Sequence, residues 1–262
     1  MGKMLTIVIP SFNEEERLPK FLKQLINQDI IKKASMIIVV DDGSLEESAE
    51  IIACLCEDIK HQDVDIEFCR RSINGGKGAA ILTGIERSKT PYVGFVDADG
   101  AVDSESIAKV VQMLINSNAQ SQQIDGIIGS RIKMLGKEVK RSAVRHYIGR
   151  IFATYISLLL NIPVYDSQCG CKFFKTDIIK PILPHIADKR WLFDTQMLIL
   201  LYHLGYNIIE YPVDWRDIRG SKISLVKDSV RMFLRMLIFR YKLGSILNNI
   251  RREKYIETTC KD

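Results

Sequence analysis

Short apolar runs alternate with amphipathic stretches through the first half of this chain of 262 residues. The runs that we predict to be strands are residues 5–9, 36–40, 65–68, 92–96 and 126–129, and the predicted helices are residues 15–27, a stretch after Ser44, 76–88 and 104–116. Strands separated by helices indicate βαβ units and a mostly parallel sheet flanked by helices. Right-handed crossovers bring the carboxyl ends of such strands to one edge. The sequence therefore predicts a Rossmann-like α/β fold with its ligand site at that edge.

The pattern changes after residue 131. A stretch rich in Lys and Arg at 133–145 runs into an amphipathic helix at about 143–160. A short strand at 172–174, a helix after Leu192 and a strand at 207–211 follow, and a long helix covers about 225–249. We predict one domain over residues 1–222, divided at residue 131 into two halves, and a C-terminal basic helix and tail over 223–262.

Composition excludes few classes. Hydrophobic residues make up 47% and charged residues 26%, and the net charge is +5, which is ordinary for a globular protein. Aromatic residues are not interleaved with the basic stretch, so nucleic-acid binding has little support. Six cysteines without a C-x-x-C pair are typical of reduced thiols. With no signal-like start and no apolar stretch long enough to span a bilayer, we predict a cytoplasmic protein without a transmembrane helix.

Asp97, Ala98 and Asp99 directly follow the predicted strand 92–96. Two carboxylates at positions i and i+2 can approach one divalent cation, and Mg²⁺ or Mn²⁺ prefers oxygen ligands and can bridge phosphate oxygens. A solvated turn is the alternative, because Asp and Gly are common in loops. The motif alone is weak, and it gains weight from the other loops at the same edge.

Those loops also carry polar groups. Residues 74–78 open a predicted helix with three glycines and Lys77, and glycines with a helix N-terminus favour phosphate. The carboxylates of Glu14, Asp41 and Asp42 can accept hydrogen bonds from a uracil or guanine ring and from ribose. Each is individually more typical of a helix cap or a turn.

Together these motifs resemble a known family. Residues 8–14 (V-I-P-S-F-N-E), 39–44 (V-V-D-D-G-S), 74–80 (N-G-G-K-G-A-A) and 96–100 (V-D-A-D-G) are similar to the nucleotide-binding half of glycosyltransferase family 2, with its GT-A fold. Further segments lie at 129–131 (G-S-R), 141–145 (R-S-A-V-R), 166–174 (D-S-Q-C-G-C-K-F-F), 190–194 (R-W-L-F-D) and 210–222. These are similar to the dolichyl- and polyprenyl-phosphate glycosyltransferases within that family.

The resemblance implies an inverting transfer of a hexose, with glucose from UDP-glucose expected, to a polyprenyl or dolichyl phosphate at the cytoplasmic face of a membrane. It implies that residues 1–131 form the nucleotide-sugar half and residues 132–222 the acceptor half. The residues expected to hold the nucleotide are Pro10, Phe12, Glu14, Val40 and Asp42. The residues expected at the diphosphate and the metal are Lys77, Asp97, Ala98 and Asp99, with Asp99 also counted as catalytic. Candidates for the phosphates of donor or acceptor are Arg131, Arg145 and Lys222, with Arg145 again counted as catalytic.

Two departures from the family pattern are visible. Family members often carry F-D-x-E where residues 193–196 read F-D-T-Q, so Gln196 stands in place of a carboxylate. The dolichol enzymes also carry an N-terminal membrane anchor, and we expect none in this chain.

The acceptor decides the role of Asp194. A sugar hydroxyl needs a general base, for which Asp194 is the best candidate. A lipid phosphate is already largely ionised at neutral pH and needs cations, which the basic stretch from Arg131 to Arg150 offers unless it is only a solvated surface. Asp194 would then position a sugar hydroxyl or a cation. A sugar-hydroxyl acceptor on a polysaccharide or glycolipid, and a nucleotide-sugar binding protein without turnover, are the alternative hypotheses.

The terminal helix has a basic side and an apolar side. At 100° per residue, Lys227, Arg231, Arg235 and Lys242 fall within an arc of about 80°. The apolar residues on the remaining circumference are Met232, Phe233, Met236, Leu237 and Leu243. Because the globule looks complete before this helix, we expect it to lie on an anionic membrane surface or in a homo-oligomer interface. The middle helix at 143–160 either packs on the sheet or adds to that surface.

Overall fold

In the computed structural model of the chain, residues 2–117, 123–140, 154–218 and 225–259 are described. The strands are β1 (Leu5–Ser11), β2 (Ser35–Asp41), β3 (Ile66–Arg70), β4 (Tyr92–Val96), β5 (Gly126–Ser130), β6 (Val139–Lys140), β7 (Cys171–Lys175), β8 (Ile208–Pro212) and β9 (Trp215–Arg216). The helices are α1 (Leu18–Ile26), α2 (Asp29–Ala34), α3 (Glu46–Lys60), α4 (Lys77–Arg87), α5 (Ser104–Ser117), α6 (described over 154–160), α7 (Thr176–Ile179), α8 (Phe193–His203) and α9 (Leu225–Thr259), with a 3₁₀ helix at Lys180–His185.

One sheet of seven strands organises the molecule. Its order is β3-β2-β1-β4-β7-β5-β8. The pairs β1–β2, β1–β4, β2–β3 and β5–β8 are parallel, and β7 is antiparallel to both β4 and β5. The predicted α/β class with a mostly parallel sheet is therefore confirmed. The strands β6 and β9 form a separate short parallel pair.

Helices cover both faces of the sheet, so the central strands are buried on both sides. Along β1, Ile7 and Ile9 face the layer of α1, α3 and α5, and Val8 faces the layer of α4 and α8. This two-sided burial explains why the strands read as continuous apolar runs rather than as alternating patterns.

Several short elements were not predicted. They are α2, α7, the 3₁₀ helix and the two-residue strands β6 and β9. The 3₁₀ helix contains Pro181 and Pro184, and these prolines cannot donate the hydrogen bonds of a longer helix. Elements of this size have no hydrophobic period of their own, so only their tertiary contacts define them.

The terminal helix α9 is part of the core, and the expectation that the globule is complete before it is wrong. Five of its side chains, spaced along one face, lie in the same hydrophobic cluster as α8. They are Met236, Phe239, Leu243, Leu247 and Ile250. Ile156 and Leu160 of α6 belong to the same cluster, so the described part of the middle helix packs on the globule. Among the described residues, no helix has the length and apolar character needed to cross a bilayer. The predicted boundaries at residues 131 and 222 stay predictions.

Candidate functional site

The candidate site lies where the sheet order changes direction. From β1 the chain proceeds outward to β2 and β3, and β4 lies on the other side of β1. The segments that leave the carboxyl ends of β1 and β4 therefore diverge and leave a crevice between them, the usual ligand position in open α/β sheets. Residues 12–17 follow β1, and residues 97–103 follow β4.

Asp97 and Asp99 lie together at this crevice. Between them, Ala98 is 5% exposed and packs into the core, so the two carboxylates flank a buried residue. Asp99 accepts a hydrogen bond from the Ala101 amide (3.0 Å). Burial and the charge of Asp97 raise the pKa of Asp99, against the opposing effects of the Ala101 amide, Lys77 and Arg17. A divalent cation would relieve this repulsion between carboxylates.

The residues present fit such a cation. Within the described part of the chain, no group of three or more His, Cys, Asp or Glu side chains could hold a metal. Two carboxylates, Asp97 and Asp99, would suit an ion such as Mg²⁺ that keeps water and substrate phosphate oxygens as its other ligands.

Lys77 already gives Asp97 a cationic partner. It is the first residue of α4, and its Nζ lies 2.6 Å from Asp97 Oδ1. Burial lowers the pKa of Lys77, but the carboxylates of Asp97, Asp194 and Asp99 outweigh it, and the net shift is upward. A stable ammonium at this position suits a diphosphate, as the resemblance implied.

Gly170 was missed from the sequence, although it shapes the site directly. Its carbonyl oxygen accepts a hydrogen bond from the Asp97 amide (3.0 Å). A Cβ at this position would lie 2.1 Å from Asp97 Oδ2, so only glycine leaves room for that carboxylate. The available signal was that Gly170 belongs to the 166–174 motif. Its contact with Asp97 could not be predicted, because no local pattern joins residues so far apart in the sequence.

The glycine loop at 74–78 is organised differently from the expectation. The amides of Gly75 and Gly76 donate to the Asp42 carboxylate (3.0 and 2.7 Å), and the Ala79 amide donates to the Lys189 carbonyl oxygen (2.9 Å). Two amides of the loop that was predicted to approach phosphate, and the Ala79 amide after it, therefore have partners within the protein. Gly76 has a φ of +96°, which explains the need for glycine there.

Asp42 holds this loop in place. It is 2% exposed and also accepts a hydrogen bond from Arg71 (2.9 Å). The neighbouring Asp41 is fully buried and accepts hydrogen bonds from the Ser44 amide (3.2 Å) and the Ser44 hydroxyl. The turn reading of these two aspartates, which the sequence left open, agrees with these contacts.

The other residues predicted to hold the nucleotide differ in how far their side chains are exposed to solvent. Phe12 is 40% exposed at the mouth of the crevice, whereas Val40 is fully buried. Val40 contributes to the core beneath α4, so its side chain has no surface to offer a nucleotide. Pro10 is half-buried and pairs with Val40 in the register of β1 and β2. Both carboxylate oxygens of Glu14 accept hydrogen bonds from Arg17 (2.5 and 2.7 Å), a pairing that the sequence did not reveal.

Arg131 lies at the end of β5 in a two-pronged ion pair with Asp166. The distances from Arg131 Nε and Nη2 to the Asp166 oxygens are 2.6 and 2.7 Å, and the guanidinium lies over the Trp215 ring. Burial raises the pKa of Asp166, but the charge and hydrogen bonds of Arg131 outweigh it and hold that pKa at about 2. Arg131 therefore helps to join the 166–174 segment to β5, a contact that the phosphate prediction did not foresee.

This pair gives stability that depends on pH. Because the pKa of Asp166 is lower in the folded chain than the usual value of about 3.9, the pair stabilises fully above about pH 4 and loses its effect as the pH falls towards 2. We expect Asp166→Asn to lower the free energy of unfolding at pH 7 by about 2 kcal/mol. The difference in free energy of unfolding between the variant and the parent should become smaller by pH 3. Urea unfolding at pH 7, 4 and 3 measures this. Asp58→Asn, at an exposed position of α3, is the control, and a gap that is independent of pH would contradict the prediction.

The basic stretch is more internally paired than predicted. Lys137 contacts Asp214 (3.5 Å) and the Tyr211 ring, and Lys140 pairs with Glu138 (2.5 Å). Lys133 is also described, but Arg141, Arg145 and Arg150 lie outside the described residues, as does Lys222. The prediction that these four bind phosphate stays a prediction.

Asp194 and Gln196 lie in the first turns of α8, and both are 3% exposed. Asp194 Oδ1 accepts the Thr195 amide (2.8 Å), and Oδ2 lies 3.1 Å from Lys172 Nζ. Gln196 Oε1 accepts a hydrogen bond from the Asp188 amide (3.0 Å). Gln196 thus holds the loop before α8, a contact that a carboxylate at this position could also accept.

Comparison with known proteins gives the relatives of the chain. The sequence model of the family described as Glycosyl transferase family 2 matches residues 6–183. The chain is 31% identical over 251 residues to the dolichyl-phosphate beta-glucosyltransferase of Dictyostelium discoideum, which covers 92% of this chain and 75% of that protein. It is 32% identical over 257 residues to the enzyme of the same name from Saccharomyces cerevisiae, with coverage of 94% and 77%.

A solved structure shares the fold. Glucosyl-3-phosphoglycerate synthase from Mycobacterium tuberculosis, in complex with Mn²⁺, uridine diphosphate and phosphoglyceric acid, superposes with a TM-score of 0.68 at 13% identity, over 91% of this chain and 78% of that one. This likeness confirms the predicted GT-A architecture. Since the family's sequence model matches well over half of its residues, the chain belongs to glycosyl transferase family 2, the family that its motifs resemble.

Proposed function

We propose that this glycosyltransferase moves glucose from UDP-glucose to a polyprenyl or dolichyl phosphate, with inversion to a β-linked lipid sugar. The observation that carries the proposal is the identity of 31–32% to two dolichyl-phosphate beta-glucosyltransferases over more than nine-tenths of the chain. The crevice adds paired carboxylates and an ammonium, Asp97, Asp99 and Lys77, where a sugar diphosphate would lie.

A divalent cation, Mg²⁺ or Mn²⁺, belongs to this proposal. Asp97 and Asp99 would hold it, and when bound it would neutralise the negative charge that grows on the departing diphosphate. The complex of the mycobacterial synthase with Mn²⁺ and uridine diphosphate supports this choice of group. Lys77 would add a second positive charge to the same diphosphate. At the nucleotide, Phe12 offers an exposed ring face, with Pro10, Glu14 and Asp42 close to the end of the same strands.

A phosphate acceptor agrees better with Asp194 than a hydroxyl acceptor does. Both carboxylate oxygens of Asp194 already have donors, Lys172 and the Thr195 amide. That arrangement positions a carboxylate rather than leaving it to take a proton from an acceptor. A lipid phosphate needs no such base, because its second pKa is about 6. Arg131, Arg145 and Lys222 are the proposed cations for the phosphates.

Incubation with labelled UDP-glucose, Mn²⁺ and a short polyprenyl phosphate tests the proposal. We expect label in a lipid-soluble product, and none when the free polyprenol replaces its phosphate, since the alcohol has no ionised oxygen. GDP-mannose as donor is the matched control for the nucleotide-sugar. Transfer to the alcohol, or to a saccharide in place of the lipid phosphate, would contradict the proposal and favour the hydroxyl-acceptor alternative.

The outer side of α9 is the proposed membrane surface. Away from its packed face lie five exposed apolar side chains, here called the outer apolar face. They are Phe233, Leu234, Leu237, Ile238 and Tyr241. One of them, Phe233 at the edge, also stacks on the Tyr155 ring of α6 (4.2 Å). Lys242 flanks the outer apolar face. Arg235 and Arg240 also lie at its borders, where Arg235 pairs with Asp188 (2.7 Å) and Arg240 donates to the Leu159 carbonyl oxygen (3.2 Å). Apolar residues bordered by a cation match an anionic lipid interface, where the stem of a lysine lies along the apolar region and its ammonium reaches the headgroups. The cytoplasmic location and self-association stay predictions.

We expect Leu234→Ser with Ile238→Ser to reduce binding to vesicles of phosphatidylcholine and phosphatidylglycerol by about tenfold, since each residue loses part of a burial worth about 2 kcal/mol. Flotation of the full chain with vesicles measures the bound fraction. Met113→Ser, at an exposed apolar position of α5, is the control. Unchanged flotation would refute the surface, and a switch from dimer to monomer in sedimentation would assign it to a second copy instead.

A further inference from the structure

Lys172 is a lysine in the middle of the sheet. It lies on β7, between β4 and β5, and is 0% exposed. Lysine is almost never fully buried unless it is paired, because desolvation of the ammonium costs several kcal/mol. Its Nζ has two polar partners, Asp194 Oδ2 at 3.1 Å and the Cys169 carbonyl oxygen at 2.5 Å, with the Phe95 ring at 5.5 Å.

We propose that Lys172 is a positioning residue for sugar transfer, which holds the Asp194 carboxylate at the donor site from inside the core. The inference rests on the proposed function for the identity of the donor. It adds a residue to which neither the motifs nor the resemblance gave a role.

The place of the pair in the fold supports this role. Residues 170–172 contact both Asp97 of the crevice and Asp194, since the Gly170 carbonyl oxygen accepts a hydrogen bond from the Asp97 amide and Lys172 pairs with the Asp194 carboxylate. Asp194 also lies next to the start of α4, because its neighbour Phe193 packs on Gly78, where a Cβ would lie 2.7 Å from Phe193 Cγ. One ion pair in the core, Lys172 with Asp194, is therefore continued at the crevice by a second, Lys77 with Asp97. An ion pair that only stabilised the core would have no reason to lie beside a second ion pair at the crevice.

The orientation of Asp194 depends on Lys172. Its Oδ1 is held by the adjacent Thr195 amide (2.8 Å), and Oδ2 is held by Lys172. Without the inner ammonium, Oδ2 loses that donor, while Lys77 lies at the start of the neighbouring helix α4 with its Nζ paired with Asp97 (2.6 Å). The carboxylate would then turn towards Lys77 and compete with Asp97 for it.

The test compares Lys172→Met, Asp194→Asn and the double variant. Lys172→Met leaves Asp194 buried without its partner and should lower the melting temperature, and the double variant should recover it because no charge stays unpaired. We expect Lys172→Met to lower kcat about 100-fold at unchanged KM for the lipid phosphate, since small misplacements of a site group cost that much. In the Asp194→Asn background the same change should have no further effect on kcat, because Lys172 acts through Asp194.

Binding of the donor gives a readout that needs no acceptor. The parent should bind UDP-glucose more tightly than UDP, and Lys172→Met should lose at least half of that preference while keeping its affinity for UDP with Mn²⁺. Lys175→Met is the matched control, since Lys175 lies on the same strand and pairs with Asp125 (2.9 Å) away from the crevice. It should keep both kcat and the preference.

The outcomes separate the two proposals. A parent that makes no glucosyl lipid refutes the proposed function, and the UDP-glucose preference of the Lys172→Met protein then decides the inference alone. Folded Lys172→Met with kcat within about threefold of the parent, or with an unchanged preference for UDP-glucose, overturns the inference and leaves Lys172 as a core residue.

Discussion

Replacing Asp99 by Asn should abolish metal-dependent turnover while leaving the fold intact. The amide keeps an oxygen that can accept the Ala101 amide hydrogen bond (3.0 Å), but it removes one of the two charges that would hold the cation. Loss of that group costs several kcal/mol of transition-state stabilisation. About 4 kcal/mol corresponds to a fall of about 10³-fold in kcat. Titration of Mn²⁺ binding by electron paramagnetic resonance, beside single-turnover kinetics, measures both effects.

Asp103→Asn is the matched control. Asp103 lies four residues further on and accepts the Ser106 amide (2.9 Å) at the start of α5, a role that Asn performs equally well. We expect its turnover to stay close to that of the parent. If Asp99→Asn bound Mn²⁺ and turned over like the Asp103 control, the proposed metal site would be wrong.

Gly170→Ala should weaken donor binding while leaving the stability of the fold nearly unchanged. The added methyl group would meet the Asp97 carboxylate, with Oδ2 at 2.1 Å and Cγ at 2.2 Å. A carboxylate at the end of a side chain can turn away, so the fold survives, but Asp97 then leaves Lys77 and the cation position. We expect donor affinity in the presence of Mn²⁺ to fall at least tenfold, with the melting temperature within a few degrees of the parent, measured by calorimetry.

Two other glycines provide controls with opposite expected outcomes. At Gly94 a Cβ would lie 2.3 Å from the Lys172 carbonyl oxygen, and because backbone cannot move aside, Gly94→Ala should unfold the protein. At Gly244 on α9 nothing lies within 4 Å, so Gly244→Ala should keep activity and gain up to about 1 kcal/mol from helix propensity. A Gly170→Ala protein that unfolds like Gly94→Ala, or that binds donor like Gly244→Ala, would contradict our account of the Asp97 position.

The main strands and the acidic pair could be predicted from the sequence because both are local. A buried parallel strand is a run of apolar residues, and the groups that follow it lie at a known edge of the sheet. The partners of those groups could not be predicted in the same way. Asp166 lies 35 residues from Arg131 and Lys172 lies 22 residues from Asp194, and no period or spacing joins such pairs.

The terminal helix shows another limit of sequence patterns. Its apolar residues occupy more than one face, and periodicity does not tell a face that packs on the protein from one that is exposed. At 100° per residue, the sequence placed Met236 and Leu243 in the same apolar group as Phe233 and Leu237. In the structure Met236 and Leu243 are buried, whereas Phe233 and Leu237 are at least 40% exposed. Only the position of α8 and the 3₁₀ helix decides which side of α9 faces the core.

The central place of β7 has a consequence for fragments and for the order of folding. Residues 1–130 supply β4 and β5, but these two strands are joined only through β7, which comes more than 40 residues later in the chain. Until β7 pairs between β4 and β5, one edge of β4 has unpaired backbone groups, and such an edge is prone to intermolecular association. A fragment that ends near residue 131 should therefore aggregate rather than bind nucleotide, and a ribosome must deliver most of the polypeptide before the Asp97 amide meets the Gly170 carbonyl oxygen.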